Sequence, residues 1–274
     1  MKVVLAKHYG FCFGVKRAIE IAENSRNAST IGPLIHNNEE IMRLQRDFNV
    51  ETLNDMQDVD CVQKAIIRTH GIAKENLRFL KEKKIDIVDA TCPFVTKPQQ
   101  ICEQMSNDGY DIVIFGDKNH PEVQGVKSYA KSSVYVVLTP QELEDKFLSN
   151  KIAVVAQTTR KVDEFIKIVN YLIKNHKEIR VFNTICNATF ENQDAAKELA
   201  KKSDIMVVIG GKNSSNTKQL HSISKEFCKD SYLIESENEL KHEWFENKKR
   251  CGVTAGASTP DWIIEKVIGK IKKI

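Results

Sequence analysis

Ile85-Asp86-Ile87-Val88-Asp89-Ala90-Thr91-Cys92-Pro93 is the stretch around which the chain is arranged. A β-branched run ends in a cysteine, and a proline follows where a helix can begin, so the thiol is expected at a strand-to-helix turn. Helix N-termini favour negative charge and lower a thiol's pKa, which suits a metal-binding thiolate. Taken alone, a cysteine is more often a small buried apolar residue. Repetition changes that reading.

The same construction occurs on either side. Lys2-Val-Val-Leu-Ala-Lys7 reads as a strand leading to Gly10-Phe11-Cys12-Phe13-Gly14 and a helical pattern of Val15, Ala18, Ile19 and Ala22. Ile179 to Ile185 leads to Cys186 and a helical stretch over about 189–202. Cys12, Cys92 and Cys186 thus recur at intervals of about 80 and 94 residues, which predicts a threefold internal repeat. Cys61, Cys102, Cys228 and Cys251 lack this context and are expected to be structural or merely tolerated.

With 274 residues, 41% hydrophobic and 28% charged, the composition is that of a soluble globular chain. The formal net charge of +4 comes without a basic stripe interleaved with aromatics, which argues against nucleic-acid binding. No apolar run approaches the ~18 residues of a membrane span, and the first residues already read as a strand rather than a targeting segment. A cytosolic, cytoplasmic protein is expected, in which seven cysteines without a Cys-x-x-Cys pair supply metal ligands or reactive thiols rather than disulfides.

Strands alternate with helices almost throughout, the pattern of parallel α/β architecture. Strands are expected at 2–7, 29–35, 64–68, 85–90, 111–115, 133–138, 151–156, 179–184, 204–209, 231–235 and 250–254, with helices including 163–175 and 261–273. Each third presents a polar cluster after an early strand: Gly32-Pro-Leu-Ile-His36-Asn37, Gly116-Asp-Lys-Asn-His120-Pro-Glu122, and Gly210-Gly-Lys-Asn-Ser214-Ser215-Asn216. Each presents another after a later strand: Arg68-Thr-His70-Gly71, Gln157-Thr158-Thr159-Arg160, and Thr254-Ala-Gly-Ala-Ser258-Thr259. Open α/β sheets bind ligands outside the carboxyl ends of their strands, where these clusters fall. The expectation is three pseudo-threefold-related α/β lobes with mainly parallel sheets, at 1–92, 93–186 and 187–274, packed around a central cleft.

Three thiolates from three lobes suit zinc, copper(I) or an iron–sulfur cluster, and three protein ligands leave one position open for substrate. His36, His70, His120, Ser214, Ser215, Asn216 and Ser258, with Thr158 and Thr159, form a set of hydrogen-bond donors suited to a phosphate or diphosphate. His8, His176, His221 and His242 lack the support of the repeat. Glu122 is a candidate proton donor, since burial in a cleft would raise its pKa; a glutamate at a helix start serves the macrodipole equally well. Gly210-Gly-Lys-Asn-Ser is not a P-loop, because Met206 and Asn213 stand where that motif needs glycine and a hydroxyl. Gly10-Phe-Cys-Phe-Gly14 does not fit a dinucleotide fingerprint.

Gly-Phe-Cys12-Phe-Gly-Val-Lys-Arg, Gly-Pro-Leu-Ile-His36-Asn, Arg-Thr-His70-Gly, Asp-Ala-Thr-Cys92-Pro, His120-Pro-Glu122-Val, Gln-Thr158-Thr159, Ile-Cys186-Asn-Ala-Thr189, Lys-Asn-Ser214-Ser215-Asn216 and Val-Thr-Ala-Gly-Ala-Ser258 together resemble, in order and over nearly the whole chain, the motifs of the 4-hydroxy-3-methylbut-2-enyl diphosphate reductases. The resemblance implies a [4Fe-4S] cluster held by Cys12, Cys92 and Cys186 at the centre of three α/β lobes. It further implies reductive removal of an allylic hydroxyl to give isopentenyl and dimethylallyl diphosphates, the last step of the non-mevalonate isoprenoid pathway. Carried across by motif, His36, His70, His120, Ser214, Ser215, Asn216 and Ser258 hold the diphosphate, Thr158 meets the hydroxyl end and Glu122 supplies the proton. An electron-donor protein such as ferredoxin or flavodoxin is the implied partner, with no nucleic acid and no membrane. Asn192 departs from the pattern, standing where an arginine is expected. The rival readings are a zinc-dependent hydrolase of a phosphorylated metabolite and a cluster-based redox sensor, the latter lacking any DNA-binding element in the sequence.

Overall fold

The β-branched runs form three four-stranded parallel sheets in a computed structural model of the chain, which describes residues 1–53 and 56–274 and all of their side chains except those of residues 57, 60 and 61. The strands are Lys2–Leu5 (β1), Ser29–Ile31 (β2), Glu51–Leu53 (β3), Lys64–Ile67 (β4), Asp86–Asp89 (β5), Asp111–Phe115 (β6), Val134–Val137 (β7), Lys151–Ala156 (β8), Glu178–Val181 (β9), Ile205–Ile209 (β10), Ser231–Ile234 (β11) and Arg250–Ala255 (β12). The helices are Phe13–Asn24 (α1), Asn38–Phe48 (α2), Lys74–Glu82 (α3), Pro93–Asn107 (α4), Pro121–Lys127 (α5), Val162–Asn175 (α6), Asn187–Ala200 (α7), Ser215–Phe227 (α8) and Asp261–Ile271 (α9). No helix among the described residues is long and apolar enough to cross a membrane.

The sheets run β3-β2-β4-β5, β7-β6-β8-β9 and β1-β12-β10-β11. Numbered within its own lobe, each has the order 2-1-3-4. In the third, however, the fourth strand is β1, paired from Lys2 with Arg250 to Leu5 with Val253. This corrects the assignment of residues 2–7 to the lobe at 1–92. The last third of the chain contributes only β10, β11 and β12, and β1 covers the edge of β12 that would otherwise stay unpaired. The cysteine therefore follows the fourth strand of its sheet in all three lobes.

Central strands are buried on both faces, which is why they read as continuous apolar runs rather than alternations. Ile205, Val207, Ile209 and Val253 pack on Ile263, Ile264 and Val267 of α9. Ile112, Ile114 and Val155 pack with Ile101 and Met105 of α4 and Val123 and Val126 of α5. Ile31, Ala65 and Ile67 pack with Leu80 of α3. β2 stops at Ile31, short of the expected residue 35, because Gly32 takes a left-handed conformation with φ of 72°. The edge strand β3 was not expected; three residues show no period of two.

The chain divides into two compact units. One comprises Met1–Lys16, Ile35–Arg43 and Asn187–Ile274, and contains the β1-β12-β10-β11 sheet. The other comprises Arg17–Leu34 and Leu44–Cys186, and contains the other two sheets.

Candidate active site

Each of the three repeated cysteines stands at the start of a helix. Cys92 is the N-cap of α4, with extended φ and ψ of −64° and 133°, and Pro93 supplies the first helical residue, as its fixed φ favours. Cys12 immediately precedes α1 and accepts the Lys16 N–H on its carbonyl (2.9 Å), and Cys186 immediately precedes α7. A second repeated bond fixes each peptide. The N–H of Cys12 donates to the carbonyl of Ala257 (3.2 Å), that of Cys92 to Thr69 (3.0 Å) and that of Cys186 to Thr158 (3.0 Å). Each acceptor lies just beyond the third strand of the same sheet, so each cysteine is stapled to the polar loop of its own lobe.

All three are partly exposed, whereas Cys102, Cys228 and Cys251 are buried thiols. Burial pushes Cys102 and Cys251 up to about 12, so they pack as small apolar residues. The expectation for Cys61 falls on a side chain outside the described ones. Burial also raises the Cys12 thiol, against the pull of the Val15 and Gly14 N–H groups, so the helix start alone does not make it a thiolate. A bound cation would reverse that balance, because a coordinating thiol is deprotonated outright. A partly exposed sulfur at a helix start is the type of donor that an iron–sulfur cluster or zinc takes.

In the second unit, Glu122 is only 1% exposed. Its Oε1 accepts the Thr158 N–H (2.7 Å) and its Oε2 accepts the Thr158 hydroxyl (2.7 Å). Burial raises the Glu122 pKa, and the two Thr158 bonds and then the Arg160 charge pull it back. Its proton is therefore held to higher pH than in water, as a general acid requires. His120 is the N-cap of α5 and its Nδ1 accepts the Glu122 N–H (3.2 Å), which leaves Nε2 to carry the proton of the neutral ring and act as donor. The His70 ring meets that of His120 edge-on, with centroids 5.3 Å apart. Gln157 ties the loops after β6 and β8 together, its Oε1 accepting from the Asp117 N–H (3.0 Å) and its Nε2 donating to Thr159 Oγ1 (3.2 Å).

In the first unit, Ser214 is the N-cap of α8, its hydroxyl accepting the Thr217 N–H (3.3 Å). Ser215 and Asn216 follow in the first turn. Asn216 is 4% exposed, and neither its Oδ1 nor its Nδ2 has a hydrogen-bond partner among the described residues. An unsatisfied buried amide costs ~1–3 kcal/mol, so this side chain is set for a polar ligand. The Ser258 hydroxyl donates to the His36 carbonyl (3.3 Å) and must turn from it to reach an anion. A Cβ on Gly211 would overlap that same carbonyl, so only glycine fits there.

Elsewhere, His8 pairs with Glu191 at 3.8 Å and His221 bonds the Ser231 carbonyl at 3.0 Å. Asn192, the departure from the expected arginine, is buried in α7. The sequence reading gave no role to Gln157 or Asn37. Asn37 lies beside His36 and caps α2, its Oδ1 accepting the Glu40 N–H (3.1 Å). An Asn one residue before a helical pattern is the signal that could have shown this.

A family model described as LytB protein matches residues 3–272. The chain belongs to the LytB family. Among LytB relatives, the 4-hydroxy-3-methylbut-2-enyl diphosphate reductase of Campylobacter concisus (strain 13826) is 66% identical over 274 residues, covering 100% of both chains. A solved structure described as (E)-4-hydroxy-3-methyl-but-2-enyl diphosphate reductase, the terminal enzyme of the non-mevalonate pathway, is 41% identical with a TM-score of 0.73, covering 100% of both chains. The structure of the E-1-hydroxy-2-methyl-but-2-enyl-4-diphosphate reductase from Plasmodium falciparum is 28% identical with a TM-score of 0.92, over 98% of this chain and 87% of that one. The LytB fold of three parallel α/β lobes is thus shared along the full length.

Proposed function

We propose that this chain reduces 4-hydroxy-3-methylbut-2-enyl diphosphate to isopentenyl and dimethylallyl diphosphates, the activity by which its full-length relatives are named. One observation carries the reading: Thr158 joins the acid to a cysteine. Its N–H and hydroxyl hold Glu122, while its carbonyl holds the Cys186 N–H. A proton donor tied to a metal-ligand candidate is what removal of a hydroxyl as water needs.

Cys12, Cys92 and Cys186 would hold a [4Fe-4S] cluster, which when bound would supply electrons one at a time and Lewis acidity. The balance is two electrons and two protons: the C–O bond breaks, one proton leaves with the hydroxyl as water, and the other ends on carbon. Glu122 gives the first, passing it through or beside the Thr158 hydroxyl. His36, His70, His120, Ser214, Ser215, Asn216 and Ser258 hold the diphosphate, and the Asn216 Nδ2–H finds there an acceptor that it lacks among the described residues. A protein electron donor of the ferredoxin or flavodoxin class completes the cycle, and a cytoplasmic location keeps the thiols reduced.

The test is anaerobic purification, iron and sulfide analysis, and turnover of the allylic diphosphate with a chemical reductant. Equimolar iron and sulfide with formation of both isomeric products is expected. Zinc without sulfide would support a hydrolase instead.

A further inference from the structure

We infer that Glu40 is a positioning residue that sets the two diphosphate-binding segments around His36 and Ser258 by clamping α2 to α9 through Trp262. The inference rests on the proposed diphosphate role of His36 and Ser258. Glu40 is the third residue of α2 and only 1% exposed, a placement that a carboxylate tolerates only when fully paired. Its Oε2 accepts the indole N–H of Trp262 (3.0 Å), the second residue of α9. Arg43 binds both oxygens through Nε (3.0 Å each) and Oε1 again through Nη2 (2.6 Å). The carboxylate is thus neutralised one turn into the helix that follows His36 and Asn37.

The geometry ties functional segments, not bulk structure. His36 and Asn37 immediately precede α2, and Ser258 to Pro260 immediately precede α9. The Glu40–Trp262 bond joins the first turns of these helices, 222 residues apart in sequence, and the Ser258 hydroxyl reaches the His36 carbonyl across the same junction. Donors held before the ligand arrives lose less freedom on binding, so the clamp serves affinity rather than chemistry. Arg43 serves it too, since an uncompensated buried carboxylate near the site would repel a diphosphate.

Trp262→Phe keeps an aromatic ring but deletes the indole N–H together with the five-membered ring; Glu40→Gln keeps the shape and deletes the charge that binds Arg43. Each should raise the Kd for inorganic diphosphate by calorimetry, and the KM for the allylic diphosphate, about 5- to 30-fold. The iron content, cluster absorption and kcat should stay within about twofold of wild type, as expected when only binding is lost. Arg78→Ala, which breaks an exposed pair with Glu82 on α3, should move none of these. Should Glu40→Gln fail to fold, Trp262→Phe decides alone. Unchanged diphosphate affinity in Trp262→Phe overturns the inference, as does a loss of kcat and iron together with unchanged KM. Calorimetry with inorganic diphosphate needs no turnover, so a wild-type protein inactive toward the allylic substrate counts against the reductase reading and leaves this test intact.

Discussion

Glu122 and Asn216 occupy the same place in two lobes and are finished differently. Each is the second residue of the helix that follows the first strand of its sheet, behind a capping side chain, His120 in one lobe and Ser214 in the other. Both are buried. Glu122 has its carboxylate fully engaged by Thr158, whereas Asn216 has both amide atoms without a partner among the described residues. Burial holds the proton on Glu122 and the two donors favour its release; an unsatisfied amide is open to a ligand. On the proposed reading, the repeat supplies one position, and the side chain there decides between proton transfer and anion binding. In the remaining lobe the corresponding residue, Glu39, is exposed, and the carboxylate one residue later, Glu40, accepts the Trp262 indole N–H.

The cysteines allow the broadest test of this equivalence. Serine at Cys12, Cys92 or Cys186 should remove the cluster and with it essentially all turnover, while Cys251→Ser, a buried thiol away from any helix start, should keep the iron. Retained iron in any of the first three would break the threefold assignment. Next in size is Glu122→Gln, for which turnover should fall ~10²- to 10⁴-fold, the usual worth of a general acid. Asn216→Ala should cost about 1–3 kcal/mol of substrate binding, read by calorimetry, and leave the cluster spectrum unchanged.

The smallest effect sharpens the electrostatics. Because burial raises Glu122's pKa in the folded protein, the folded state keeps this proton to higher pH than the unfolded chain does. That contribution is fully present below the ordinary carboxylate range and is lost as pH rises through the raised value. Glutamine has no such proton to lose. Thermal melts should therefore show Glu122→Gln gaining on wild type as pH rises, and a gap that stays constant with pH would contradict the assigned shift.

Much of this was legible in the sequence for a local reason. Strand-cysteine-helix turns are written within about ten residues, and runs such as Ile205–Ile209 are buried on both faces and need no alternation to be read. The pairing of β1 with β12 was not legible, because which edge a strand covers depends on an edge left open about 250 residues away. Glu122 and Thr158 could each be picked as candidates, but their two-point contact spans 36 residues and follows only from the fold bringing the start of α5 to the loop after β8. Glu40 escaped notice altogether: a glutamate in the first turn of a helix reads as a dipole partner, and only its burial against Trp262 shows otherwise.

On the proposed reading, equivalent positions divide the work, Glu122 moving a proton and Asn216 holding the diphosphate. Steady-state kinetics of Glu122→Gln and Asn216→Ala side by side, with a chemical electron donor and iron content matched to wild type, tests it most directly. The account predicts a split: kcat lost with KM nearly unchanged in Glu122→Gln, and KM raised with kcat largely kept in Asn216→Ala. The same pattern in both variants, or near-wild-type kcat in Glu122→Gln, would contradict it.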